Sequence, residues 1–170
     1  MSFTASTAVT TVLPVSLLFW LNVFVYALHV LEESVLPEVF VDKMKRRYFP
    51  GYDWRKFFWF NASLLAANVL AVVIFESVGG SWIIFPTALL VERTLNGLWH
   101  FGETIATRRY SSGLLMSVVT WCIMYLLIRY SLCAGQISGQ SFLIACLVGL
   151  GIDLIMMVPM YLGAFRRRGS

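Results

Sequence analysis

Charge is scarce in this sequence: only 13 % of its 170 residues are Asp, Glu, Lys or Arg, against about a quarter in a soluble domain. Cysteine is scarcer still. Cys122, Cys133 and Cys146 lie in or beside apolar runs without CxxC or ligand spacing, which excludes a disulfide framework and a zinc knuckle. Phosphate loop, dinucleotide fingerprint and nucleophile elbow are all missing. What abounds is apolar surface, with 59 % hydrophobic residues and a mean hydropathy of +0.77. The net charge of +4 comes from basic residues next to apolar runs. It marks membrane flanks and argues against a nucleic-acid partner. The composition is that of an integral membrane protein, an all-α bundle forming a single transmembrane helical domain over residues 1–170.

At about 20 apolar residues per span, five transmembrane helices are expected, near residues 12–34, 57–78, 82–107, 113–134 and 141–165. Met1 to Thr11 lacks the basic start of a cleavable signal, so the first helix should be retained. The long loop 36–56 mixes Lys43, Lys45, Arg46, Arg47, Arg55 and Lys56 with Phe40, Tyr48, Phe49, Tyr52 and Trp54. Such a mixture suits an amphipathic segment lying on anionic headgroups, broken at Pro37 and at Phe49-Pro50-Gly51. The loop, Arg108-Arg109 and Arg166 to Arg168 hold eleven of the thirteen basic residues. All three clusters fall on one side of five spans. The basic loops are therefore expected in the cytoplasm, with the N-terminus out and the C-terminus in, in the cell membrane if the protein is bacterial. The sequon Asn61-Ala62-Ser63 lies inside a span and is read as unused. Trp20, Trp54, Trp59, Trp82 and Trp99 suit an interfacial belt. Glu76 and Arg129 should snorkel; Met156, Met157 and Met160 should pack the bundle. Pro86 and Pro159 can kink their helices.

Six of nine acids and both histidines fall in or at the ends of spans. Ionisable groups there are costly unless they face a protein interior or wet cavity. The first helix ends in His29-Val30-Leu31-Glu32-Glu33. At 100° per residue, Glu32 and Glu33 lie about 60° and 40° to either side of His29, so all three can point into one site. In the third helix Glu92, Asn96, His100 and Glu103 share an arc of about 80°. Asn61 enters the second helix at the level of His29 and His100, Asn68 lies about 10 Å deeper, and Asp153 approaches Glu92 and Asn96 from the fifth, with Arg93 placed to neutralise a neighbouring acid. One polar cavity opening to the cytoplasmic side follows.

Three chemistries fit. In the first, His29 and Glu33 act as an acid–base pair on a lipid or isoprenoid-like substrate, in an isomerase or cyclase manner. Glu32 and His100 complete the catalytic set, and Asn68, Glu92, Asn96, Glu103 and Asp153 line the cavity. No cofactor is needed. The second is a metal centre of iron, manganese or zinc held by His29, Glu32, Glu33, His100 and Glu103, giving an oxidase or hydrolase. His29-x-x-Glu32 and His100-x-x-Glu103 reverse the Glu-x-x-His pair of carboxylate-bridged di-iron bundles. In the third, the groups bind lipid or merely join helices. Expected partners are membrane lipids, a lipid-soluble small molecule and a second copy in a homo-oligomer. No internal repeat supports a transporter.

The motif His29-Val30-Leu31-Glu32-Glu33, with Pro37 following, resembles the HXXEE-domain family of small membrane proteins. Asn96-x-x-x-His100 and Arg109-Tyr110-x-x-Gly113 extend the resemblance, although Ser112 stands where the family often has proline. The resemblance implies a multi-helix membrane fold with His29, Glu32, Glu33, Asn96 and His100 as its functional core; it supplies no reaction.

Overall fold

The computed structural model describes residues 14–36 and 40–168, with side chains to Val158. The turn at Pro37, the side chains of Pro159, Met160 and Arg166 to Arg168, and the segment Met1 to Thr11 lie outside the described residues. Every regular element among the described residues is helical: α1 Val15–Val35, α2 Phe40–Arg47, α3 Trp54–Val78, α4 Ile84–Thr107, α5 Leu114–Leu126 and α6 Gly139–Arg168. A wider π-helical turn, Leu127–Leu132, prolongs α5. Among the described residues, four helical stretches are long and apolar enough to cross a membrane: Val15–Val35, Trp54–Val78, Leu114–Leu132 and Gly139–Val158.

The sequence explains the boundaries. Asp53 caps α3 by accepting from the Lys56 amide at 2.8 Å, which starts that helix at Trp54 and not at residue 57. Gly79 and Gly80 both have positive φ and end it. Pro86 does not kink α4. It falls in the first turn, where a helix has no use for the missing N–H.

The central helix is α4, which contacts α1, α3, α5 and α6. It carries Glu92, Arg93, His100 and Glu103 and is enclosed by its more apolar neighbours, the arrangement a low-dielectric surrounding demands. It meets α6 closely, because a β-carbon on Gly149 would stand 2.5 Å from the Ala88 carbonyl oxygen; small residues permit such approach where no hydrophobic force drives helices together. On α1 the stripe Leu18, Asn22, Tyr26, His29 and Glu33 faces inward, while Phe24, Leu31 and Val35 face outward. Asn22 donates to Asn68 at 3.3 Å and Tyr26 to Asn61 Oδ1 at 2.8 Å. Such interhelical contacts average about 0.6 kcal/mol, so they fix the register of α1 against α3 more than they stabilise it. Glu76 does not reach outward alone; it accepts from Trp20 Nε1 at 2.9 Å.

The expected surface segment is partly a cover. Lys45, Arg46 and Arg47 of α2 are exposed, as an interfacial helix requires, but Val41, Lys43 and Met44 are buried against the bundle.

Candidate functional site

Three side chains from two helices converge. Glu33 Oε1 lies 3.6 Å from His29 Nε2 and 3.5 Å from His100 Nε2. The imidazole rings meet edge to face, with centroids 5.1 Å apart. All three residues are buried, and one ligand atom from each lies within 4.8 Å of the others. Helical spacing puts His29 and Glu33 on one face of α1, and the α1–α4 contact brings His100 to them. The room for two adjacent imidazoles comes from Gly113, at the N-terminus of α5. Its φ is +103°, and a β-carbon there would stand 2.7 Å from Cε1 of both His29 and His100.

A hydrogen-bonded chain fixes the protonation of His100. Lys43 Nζ donates to Glu103 Oε2 at 2.6 Å, and Arg47 donates to Oε1 at 3.0 Å, so Glu103 is an ionised acceptor. Ser111 gives its one hydroxyl proton to Glu103 at 2.6 Å. Toward Lys43, at 3.3 Å, and toward His100 Nδ1, at 3.0 Å, the Ser111 oxygen therefore accepts. Nδ1 of His100 therefore carries a proton, which in the neutral ring leaves Nε2 as a lone pair. That Nε2 is fully buried without a hydrogen-bond partner among the described residues. It faces a carboxylate oxygen, and two electron-rich atoms in that position call for a cation between them.

The second glutamate of the motif has another task. Glu32 does not join the cluster, because it faces the start of α5. There it accepts from the backbone amides of Gly113 (2.9 Å), Leu115 (3.2 Å) and Met116 (3.0 Å), and from the Tyr110 hydroxyl. A carboxylate at a helix N-terminus satisfies orphan amides and the helix dipole together. Burial pushes the Tyr110 phenol up to about 12, and its bond to Glu32 adds to the effect. The neutral donor persists at any ordinary pH; its contribution is complete below about pH 10 and is lost as pH rises through about 12.

Other candidates part in the same way. Glu103 is enclosed by Lys43, Arg47 and Ser111, and acts on His100 through Ser111 instead of joining a ligand set. Glu92 accepts two hydrogen bonds from Arg93, whose guanidinium also lies 4.6 Å over the Tyr26 ring. Asn68 is engaged by Asn22, outside the cavity. Asp153 is half-buried with Oδ1 unpartnered among the described residues and does not line the cavity.

The cavity itself measures about 160 Å³. Its polar wall is His29, Glu33, Asn61, Arg93 and Asn96, and its apolar wall includes Phe40, Met44, Phe49, Phe60 and Trp99. Met156 and Met157, which spacing reads as bundle packing, also line it. Tyr52 does too; burial first, and then the Glu33 charge, raises its phenol above the ordinary value. The Oδ1 of Asn96 is buried without a hydrogen-bond partner among the described residues. Sequence reasoning missed Lys43, Ser111 and Gly113 as supports of the site. The signal was present in part, since Tyr110 and Gly113 belong to the second motif.

Against known proteins, the family model described as a protein of unknown function with HXXEE motif matches residues 20–129, well over half the chain. The match takes in every residue of the cluster and of the chain behind His100. No curated protein and no solved structure gives a match.

Proposed function

The chain belongs to the family defined by the HXXEE motif, and from that premise we propose that it is a metal-dependent membrane enzyme. His29, Glu33 and His100 bind one divalent transition metal, and the substrate is an amphipathic, lipid-soluble molecule in the adjoining cavity. The observation that carries this reading is the buried Nε2 lone pair of His100 directed at Glu33 Oε1. Two ligand atoms each about 2.1 Å from a tetrahedral ion lie about 3.4 Å apart, close to the observed 3.5 and 3.6 Å. Direct hydrogen bonds would be nearer about 2.9 Å. The acid–base reading uses the same residues but is less well supported, because Glu33 Oε1 stands beyond ordinary hydrogen-bond distance from both rings.

Two histidines and one carboxylate suit zinc, iron or manganese. His29, Glu33 and His100 would hold the ion as three protein ligands, and His29 and Glu33 also form part of the cavity wall that would face the substrate. When bound, the metal supplies Lewis acidity or an activated oxygen ligand. The chain's own part is to hold the ligands, keep His100 in its Nδ1–H form through Ser111 and Glu103, and exclude bulk water beneath α2.

Elemental analysis of protein purified without added metal tests this. One zinc, iron or manganese ion per chain is expected, with essentially none in the His29→Ala/His100→Ala variant. Metal-free native protein would return the site to acid–base chemistry. A second expectation concerns Lys43. Changes in the residues that orient metal ligands typically cost about 10- to 100-fold in metal affinity, so Lys43→Met should weaken binding by about that factor in a competitive chelator titration. Unchanged affinity would detach the Lys43–Glu103–Ser111 chain from the metal.

On topology, α4 joins the four apolar helices as a fifth, shielded span, placing the N-terminus outside and the basic segments in the cytoplasm. Cysteine accessibility should label Lys45→Cys only from the cytoplasmic side; labelling from outside would invert the topology.

A further inference from the structure

The cavity does not stand alone on its helix faces. A second space of about 280 Å³ runs along the seam where α3 and α6 both border α4. Its lining is apolar, including Ala67, Ala71 and Ile74 of α3, Leu89 of α4, and Val148 and Ile152 of α6.

The two spaces follow one another along α4 and α6. Leu89 of the groove and Arg93 of the cavity are one turn apart on α4, and Ile152 and Met156 are one turn apart on α6. On α3 the cavity ends at Phe60 and Asn61 and the groove begins at Ala67. From Phe60 to Ile74 the combined wall spans about 21 Å of helix. The polar end holds His29 and Glu33, the Arg93 guanidinium and the unpartnered Asn96 oxygen. The other end is bare hydrocarbon. Leu70, Phe85 and Val148 on the groove are exposed to the outside of the bundle, which in a membrane is the lipid phase.

We infer that cavity and groove form one binding site for a single-chain amphiphile with a small, oxygen-rich head, such as a fatty acid. The inference rests on the metal-dependent reading of the cavity and names its substrate class. The head occupies the polar cavity, with an oxygen toward the metal and toward the Arg93 and Asn96 side chains. The chain lies in the α3/α4/α6 groove, and the molecule enters sideways from the bilayer along the α3–α6 seam. A head space of about 160 Å³ is comparable to a cavity that holds benzene. It takes the reacting end of such a molecule and has no room for a phospholipid headgroup with its glycerol and second chain.

The experiment uses palmitic acid carrying a terminal diazirine, photolysed with the full-length protein in phosphatidylcholine nanodiscs, and maps the adducts by peptide mass spectrometry. Metal content is measured on the same samples. Adducts are expected along Ala67 to Ile74 and around Leu89, and unlabelled palmitate should compete them away. Ala67→Trp places a ring in the groove at an exposed position. Losing burial of two methylenes should lower labelling about tenfold, with metal content unchanged. Val148→Trp, on the opposite wall, should act alike and guards against misfolding of the first variant. Adducts spread evenly over all lipid-facing helices, or unaffected by both tryptophans, would overturn the inference. So would groove labelling that persists undiminished in the presence of excess palmitate. If native protein lacked metal but groove labelling behaved as expected, the metal reading would fail and the amphiphile site would stand.

Discussion

Glu33→Gln is expected to abolish metal binding in a protein that stays folded, whereas Glu32→Gln, one residue away, is expected to unsettle the fold first. The carboxylate of Glu33 meets two imidazoles and a cavity; its amide replacement is nearly isosteric but loses the charge that a divalent ion requires. Metal content should fall from one ion per chain to background, with helical circular dichroism and elution volume unchanged. Glu32 instead accepts from three backbone amides of α5 and its N-cap and from Tyr110. Hydrogen bonds to charged groups are worth about 1.5–3 kcal/mol each, and glutamine keeps a neutral acceptor while adding a donor with nothing to receive it. A loss of about 2–3 kcal/mol in unfolding free energy follows, visible as a lower melting temperature in detergent. Metal binding should weaken only as far as Gly113 shifts against the histidines. If both variants lost metal equally and neither lost stability, this division of labour within the motif would be wrong.

The second large effect belongs to Gly113. Alanine there meets two obstacles at once. Its φ of +103° is strained for any residue with a β-carbon, at about 1–3 kcal/mol. The new methyl would also lie 2.7 Å from both imidazoles, closer than real contacts allow. Either α5 withdraws or the rings turn, and both outcomes separate His29 and His100 from Glu33. Gly113→Ala should therefore reduce metal affinity at least as far as Lys43→Met does, and lower the melting temperature as well. Gly102 provides the control. It lies close to the site on α4, yet a β-carbon added there would meet nothing within 4 Å. Gly102→Ala should therefore keep the metal and gain slightly in helix propensity. Full metal occupancy in Gly113→Ala would show that the glycine serves the turn alone.

The behaviour of the neighbouring acids has a common physical basis. In a low-dielectric bundle an isolated charge is too costly to keep, and Glu92, Glu103 and Glu32 have each found a partner or a task. Glu92 has Arg93, Glu103 has Lys43 and Arg47, and Glu32 has the start of α5. Glu33 is the one acid of the motif region whose facing atoms are both imidazole nitrogens, and that makes it the candidate for chemistry.

The sequence by itself determined the helical class, the apolar runs and the ranking of polar residues. Apolar runs report burial in lipid directly, and helical periodicity places His29 beside Glu33 and Asn96 beside His100 without any knowledge of neighbours. The motif residues stood out for the same reason, since ionisable groups are conspicuous in an apolar span. What each one does was decided only by the tertiary structure. At 100° per residue Glu32 and Glu33 are equally good neighbours of His29. Only the position of α5, which brings Gly113 and its free amides against one side of α1, sends Glu32 there and leaves Glu33 to the site. Lys43 reads from sequence as a surface cation. Folding α2 beneath the bundle buries it and makes it the anchor of a chain that ends on His100. Met156 and Met157 become cavity wall because α6 and α3 both pack on α4. Periodicity is a property of one helix, but a site is made by the contacts among several.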